Sequence, residues 1–253
     1  MKRPSKMIRL FLCTALAAVI LLGILSDTAL AASTPFADVP ETQWYASAVS
    51  TAVSDGLVNG KTPTAYCPDD SLTYAETIKL AACMHQKYST GAVTLENGQP
   101  WYQSYVDYAS ANGIISKEYN LSEPATRAGY MEIFANALPD SALTVINDIP
   151  DGAIPDVAMS HTQSSAIYRL YRAGILQGVD SMHRCLPSSQ IKRSEVATIL
   201  VRMMHANERI TFTIDPSVQQ TVAYIAFDNL DRFSLSKNGR NSSRSSWVLQ
   251  RWF

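Results

Sequence analysis

The organisation of this chain is decided by one stretch: Phe36-Ala37-Asp38-Val39, then Trp44, Val49, Gly56 and Gly60, then Tyr66-Cys67-Pro68 and Leu72-Thr73-Tyr74-Ala75-Glu76. The same spacing restarts at Ile154-Pro155-Asp156-Val157. It runs through Thr162, Ile167, Gly174 and Gly178 to Cys185-Leu186-Pro187 and Ile191-Lys192-Arg193-Ser194-Glu195. A middle segment starts at Trp101. It passes Val106 and Gly113 and reaches Tyr119-Asn120-Leu121 and Ala125-Thr126-Arg127-Ala128-Gly129. In all three, eight residues separate the Tyr or Cys from the later Tyr or Arg. An offset shared three times marks an internal repeat.

Each segment reads as helix, loop, helix. In the first, Trp44, Ala48, Val49, Ala52 and Val53 fall at helical spacing. Tyr105, Val106 and Ala109 do so in the second, and Ile167, Leu170 and Tyr171 in the third. Gly56, Gly113 and Gly174 then stand where a left-handed C-cap is expected, each followed by Leu or Ile. The second helices show apolar faces of Ile78, Ala81 and Ala82; Met131, Phe134 and Leu138; and Val196, Ile199, Leu200 and Met203.

Thr73 followed by Glu76 is a capping box, worth about 1 kcal/mol to the helix start. The second segment keeps Thr126 but has Gly129 in place of Glu, and the third keeps Glu195 but has Lys192 in place of Thr. Capping does not account for Arg127 and Arg193, because a cation in the first turn opposes the helix dipole. Either these arginines are solvated surface residues or an anion recruits them.

Composition narrows the classes. The chain has 253 residues, 47% hydrophobic and 17% charged, with a net charge of −1. That is globular rather than disordered. Residues 32–215 hold 12 Lys and Arg against 19 Asp and Glu, a net of −7, so bulk charge argues against nucleic acid. The N-terminus reads as a secretory leader over 1–31. Lys2, Arg3, Lys6 and Arg9 precede the apolar run Leu10 to Leu25, and Ala29-Leu30-Ala31 fits a cleavage site. The run is shorter than the roughly 18–20 residues of a span, so no stable membrane insertion is expected after cleavage. Cys67, Cys83 and Cys185 have no metal-ligand spacing, and Cys67 and Cys185 read as small buried apolar residues. Over 207–253, Ile210–Ile214 alternates like a short strand and Ser234–Ser246 reads as disordered and basic. The aromatic end Trp247–Phe253 reads as a docking peptide or as the remnant of a longer cargo region.

The order Phe-x-Asp-Val, Trp, Gly-x-x-x-Gly, aromatic-x-Pro, Thr-Arg-Ala-Glu resembles the surface-layer homology (SLH) repeat of bacterial cell-surface proteins. Phe36, Asp38, Val39, Trp44, Gly56, Gly60, Tyr66, Pro68, Thr73, Ala75 and Glu76 carry it in the first segment. Trp101, Gly113, Thr126, Arg127 and Ala128 carry it in the second, and Asp156, Val157, Gly174, Gly178, Pro187, Arg193 and Glu195 in the third. The resemblance implies an all-α fold: three SLH repeats at 36–88, 95–139 and 150–206 in a pseudo-threefold bundle. It also implies secondary cell-wall polysaccharide, often pyruvylated, as ligand, bound in grooves between repeats with no cofactor and no metal. The implied contacts are Arg127 and Arg193 on a ligand carboxylate, supported by Asp38, Asp156, Trp44, Trp101, Gly60 and Gly178. The chain departs from the pattern at Tyr74, Leu95, Gly129, Thr162 and Lys192.

Two other functions compete. His85, His161, His183 and His205 lie in no His-Glu-x-x-His or Gly-x-Ser-x-Gly motif, and the repeats leave no length for a catalytic domain, so enzymatic activity is not expected. A helical protein–protein scaffold that has lost glycan binding is the alternative.

Overall fold

The computed structural model describes residues 35–214, all within a unit running from Thr34 to Phe253. The expected leader at 1–31, and the tail from residue 215 onward with its docking peptide, lie outside the described residues. Six α-helices and no strands are found among the described residues: α1 Ala46–Ser54, α2 Tyr74–Thr90, α3 Gln103–Ala111, α4 Arg127–Ala135, α5 Ser164–Arg172 and α6 Arg193–Met204. Short 3-10 turns follow at Asp140–Ala142 and Ala206–Glu208. None of the described helices is long and apolar enough to cross a membrane.

The sequence signals for helix ends act as their chemistry requires. Gly56, Gly113 and Gly174 have φ of 69°, 69° and 70°, a region open to glycine without a Cβ penalty. Each follows a helix that closes with two reversed hydrogen bonds. In α1 these run from Gly56 N to Val53 O (2.9 Å) and from Leu57 N to Ala52 O (2.9 Å), and α3 and α5 end the same way. The apolar residues after the glycines, Leu57, Ile114 and Ile175, are buried.

At the other ends, α2 has a full capping box between Thr73 and Glu76. Helix α4 keeps only the Thr half, with Thr126 Oγ1 accepting from Gly129 N at 3.1 Å. Helix α6 keeps only the Glu half, with Glu195 Oε2 accepting from Lys192 N at 3.0 Å. An ammonium has no acceptor, so Lys192 cannot supply the other.

The helices do not pair within their own segments. Helix α2 packs on α3, α4 on α5, and α6 on α1, each match joining the second helix of one segment to the first helix of the next. The helix starts are joined the same way. Tyr74 N donates to Glu123 O (2.9 Å), Arg127 N to Ser189 O (2.8 Å) and Arg193 N to Asp70 O (2.9 Å). Leu72, Ala125 and Ile191 close a ring: Ala125 N to Leu72 O, Ile191 N to Ala125 O and Leu72 N to Ile191 O, at 2.7, 3.3 and 3.4 Å. Three isolated antiparallel bridges, Ser71 with Lys192, Thr73 with Pro124 and Thr126 with Gln190, mark the same junctions.

One apolar core runs through all three segments. Its faces are those expected for the second helices, and Tyr130 stacks on Phe134 with centroids 4.1 Å apart. Two expectations are corrected. Trp44 is not part of the core face of α1; it precedes the helix and is 66% exposed. Ile210–Ile214 forms no strand. It is tied to the core instead: Ile210 N donates to Gly174 O (2.9 Å), Phe212 N to Asn147 Oδ1 (3.0 Å), and the Phe212 ring stacks on His183 at 4.8 Å.

Candidate ligand clefts

The three junctions between segments carry the candidate site residues. Arg193 is the first residue of α6 and lies against the 59–70 loop of the first segment. Its Nε donates to Tyr66 O (2.9 Å), its Nη2 to Asn59 O (2.7 Å), and its guanidinium sits 4.6 Å from the Tyr66 ring centroid. The side chain is half-buried, and its Nη1 has no hydrogen bond among the described residues. Two carbonyls and a ring orient the cation without neutralising it.

Asp38 holds the loop on which Arg193 rests. Its two oxygens accept from Tyr66 N (2.9 Å) and Cys67 N (2.7 Å), which holds Cys67 at φ 59°. Burial pushes the Asp38 carboxyl up, but those amides and the nearby Arg193 outweigh it and leave it below the ordinary carboxylate range. Burial pushes the Tyr66 phenol up to about 12, partly opposed by Arg193, so it stays protonated and donates to Arg193 O at 3.0 Å. Trp44 packs edge-on against Tyr45 at 5.3 Å. Tyr45 is raised by burial and by Asp69 and Asp38, and lowered by Lys192, which places those charges around it. Lys192 and Asp69, both exposed, pair at 2.8 Å.

Arg127 has the same anchor and a different end. It is the first residue of α4, and its Nε donates to Cys185 O at 2.7 Å, as Arg193 does to Tyr66 O. Its Nη1, however, forms an ion pair with Glu195, 68 positions away, and the residue is only 4% exposed. The expected ligand-facing Arg127 is therefore an interior ion-paired residue in this structure, because a buried guanidinium needs a counter-charge and Glu195 supplies it. Asp156 repeats the clamp of Asp38, accepting from Cys185 N (2.8 Å) and Leu186 N (2.7 Å).

The third junction has no arginine. Tyr74 stands at the Arg position and packs on Tyr119 with centroids 4.8 Å apart. Its hydroxyl lies 3.3 Å from Thr126 Oγ1. A cleft of about 720 Å³ opens beside it, lined by Ile78, Val106, Ile115, Lys117, Tyr119 and Leu121 among others. Lys117 pairs with Glu132 at 2.6 Å. Leu95, at the Asp offset, packs against Ala82, Cys83 and Tyr105.

The remaining expected site residues are placed as follows. Trp101 is 39% exposed, and one face is covered by Lys79, whose Nζ is 5.5 Å from the ring. Gly60 and Gly178 have their Cα faces filled by the chain itself. A Cβ at Gly60 would overlap the Phe36 ring and Thr62 O, and one at Gly178, where φ is 88°, would lie 2.6 Å from His183 Cα. At both glycines the chain itself leaves no room for a side chain. Cys67, Cys83 and Cys185 are free; Cys185 and Cys83 are buried, whereas Cys67 is half-buried. Among the described residues no group of three His, Cys, Asp or Glu could hold a metal ion.

Sequence reasoning did not single out Asn59 or Tyr45, nor Glu195 as a partner of Arg127. Asn59 acts through its backbone carbonyl, which leaves no trace in residue type. Glu195 is legible as a helix cap and a motif residue, but not as a counter-ion.

Comparison with known proteins agrees with the first segment's pattern. Residues 35–78 match the S-layer homology domain, spanning the Asp38 clamp, the Tyr66 loop and the start of α2. The chain is also similar to the Surface-layer 125 kDa protein of Lysinibacillus sphaericus, 26% identical over 114 residues. That similarity covers 41% of this chain and 10% of the relative, so the chain spans a small part of the relative's length.

Proposed function

We propose that the chain attaches a secreted protein to the bacterial cell wall, without catalysis, by binding an acidic secondary cell-wall polysaccharide at the Arg193 cleft. The S-layer homology match and the surface-layer relative support wall attachment. The closed ring of hydrogen bonds and the cyclic helix pairing support reading 36–88, 95–139 and 150–206 as three copies in a pseudo-threefold bundle.

The observation that carries the ligand assignment is Arg193: oriented by two carbonyls, in no ion pair among the described residues, and offering an unused Nη1. A ketal-linked pyruvate presents a carboxylate that such a fork can bind, a contact worth about 1.5–3 kcal/mol. The exposed Trp44 ring offers a face for a sugar. Asp38 and Gly60 set the loop beneath, and Asp156 and Gly178 do the same in the third segment. Trp101 serves as a second, partly covered aromatic face.

Purified wall fragments with bound polysaccharide provide the test. Arg193→Met is expected to weaken binding at least tenfold, Arg193→Lys less, and Trp44→Ala measurably, with helical content unchanged. Undiminished binding by a folded Arg193→Met variant would overturn the assignment.

A scaffold that binds protein and not glycan is the second reading. It is favoured by the two junctions that present no free arginine, those of Arg127 and Tyr74. The same pull-down separates the two, since a scaffold binds stripped and unstripped walls alike.

A further inference from the structure

We infer that Glu195 is an internal stand-in for a ligand's acid group: it occupies Arg127, closes that junction, and leaves a latent carboxylate site beneath it. The inference rests on the proposed reading of Arg193 as a carboxylate contact. Arg127 and Arg193 begin equivalent helices and anchor Nε on equivalent carbonyls, Cys185 O and Tyr66 O. They differ in one partner. At Arg127 a carboxylate from the next segment completes the guanidinium; at Arg193 the corresponding Glu76 instead accepts from Thr73 N (2.8 Å) and Thr73 Oγ1 (3.1 Å). Both of those bonds end on Glu76 Oε2, as the cap bond of Glu195 ends on its own Oε2. One oxygen of Glu195 caps α6 and the other is available to Arg127.

Burial orders the pair. The Arg127 side chain is 5% exposed and that of Glu195 is 23% exposed, so the cation is the more deeply buried partner. A tethered carboxylate has a high effective concentration and excludes a free one of similar strength. Removing its charge while keeping its shape leaves a buried cation whose unmet need is an anion. Glu195→Gln does this, because glutamine still accepts from Lys192 N and preserves the half capping box. On this account the native chain has one acid-reading cleft, and Glu195 sets that number.

The test uses the full chain in an Arg193→Met background, with sodium pyruvate as probe and calorimetry and NMR as readouts. Arg193→Met alone is expected to show no saturable pyruvate binding. Arg193→Met/Glu195→Gln is expected to gain a single site with Kd on the order of 1 mM. Adding Arg127→Met should abolish the gain. The inference is overturned if the folded Glu195→Gln variant binds no pyruvate, if the gain survives without Arg127, or if Arg193→Met already binds through Arg127.

Should Glu195→Gln not fold, the apolar pair Arg127→Met/Glu195→Met serves in an otherwise native chain. Wall affinity within twofold of native supports a silent junction, and a folded pair variant with tenfold weaker binding refutes it. Failure of the wall-binding reading would show separately, as undiminished wall binding by Arg193→Met.

Discussion

The hydroxyl of Tyr74 stands in the space that a side chain at Gly129 would need. A Cβ built on Gly129 overlaps that oxygen and lies 2.8 and 2.9 Å from Tyr74 Cε1 and Cζ. These positions correspond to the Arg127 and Glu195 that pair at the next junction. Tyr for Arg and Gly for Glu, two separate differences between these junctions, are therefore one exchange in space: a bulky phenol facing a missing side chain.

This exchange predicts strong coupling. Gly129→Ala should destabilise the protein by about 1–3 kcal/mol through overpacking, although alanine is the better helix former. In the Tyr74→Ala background the same substitution should stabilise by up to about 1 kcal/mol. A double-mutant cycle by urea unfolding measures this, and additive effects would contradict the shared site.

The unequal caps predict opposite responses. Thr73→Ala removes the hydroxyl that accepts from Glu76 N and should cost about 1 kcal/mol. Lys192→Thr should restore the missing acceptor at α6 and stabilise by a similar amount. The exposed pair with Asp69 that it sacrifices contributes little. Midpoints of denaturant unfolding give both signs.

Acid sensitivity should pass through Asp38. Burial raises its carboxyl, but the Tyr66 and Cys67 amides and Arg193 more than compensate, so the folded carboxyl sits below the 3.8 of the free group. The unfolded chain then takes up the proton more readily than the folded one. The resulting stabilisation is present above about pH 4 and is lost as pH falls through the lower folded value. Asp38→Asn should lower stability at pH 7, by about 1–3 kcal/mol for the amide left without its acceptor, and flatten the melting curve series between pH 5 and 2.

Thiol reactivity should divide the cysteines. Burial pushes the Cys185 thiol up to about 12 and raises that of Cys83, so neither offers thiolate at neutral pH. Among Cys67, Cys83 and Cys185, iodoacetamide under native conditions should label Cys67, which is half-buried, and spare the other two until urea is added. Peptide mass spectrometry reads this directly, and native labelling of Cys185 would contradict its packing against Met131.

Much of this architecture is legible along the chain, because helix ends and core faces are local. The three glycines with φ near 70°, the full and half capping boxes, and the buried faces of α2, α4 and α6 follow from spacing and residue type. So does the placement of both arginines at the first position of a helix. What spacing cannot carry is the identity of the neighbour. Each helix pairs with a helix of another segment, and Arg127 meets a carboxylate 68 positions away while Arg193 meets two carbonyls. In sequence those arginines are the same motif position. Only the fold makes one a buried structural ion and leaves the other a cation with an open nitrogen, because the electrostatic environment of a side chain is set in space and a repeat records only distance along the backbone.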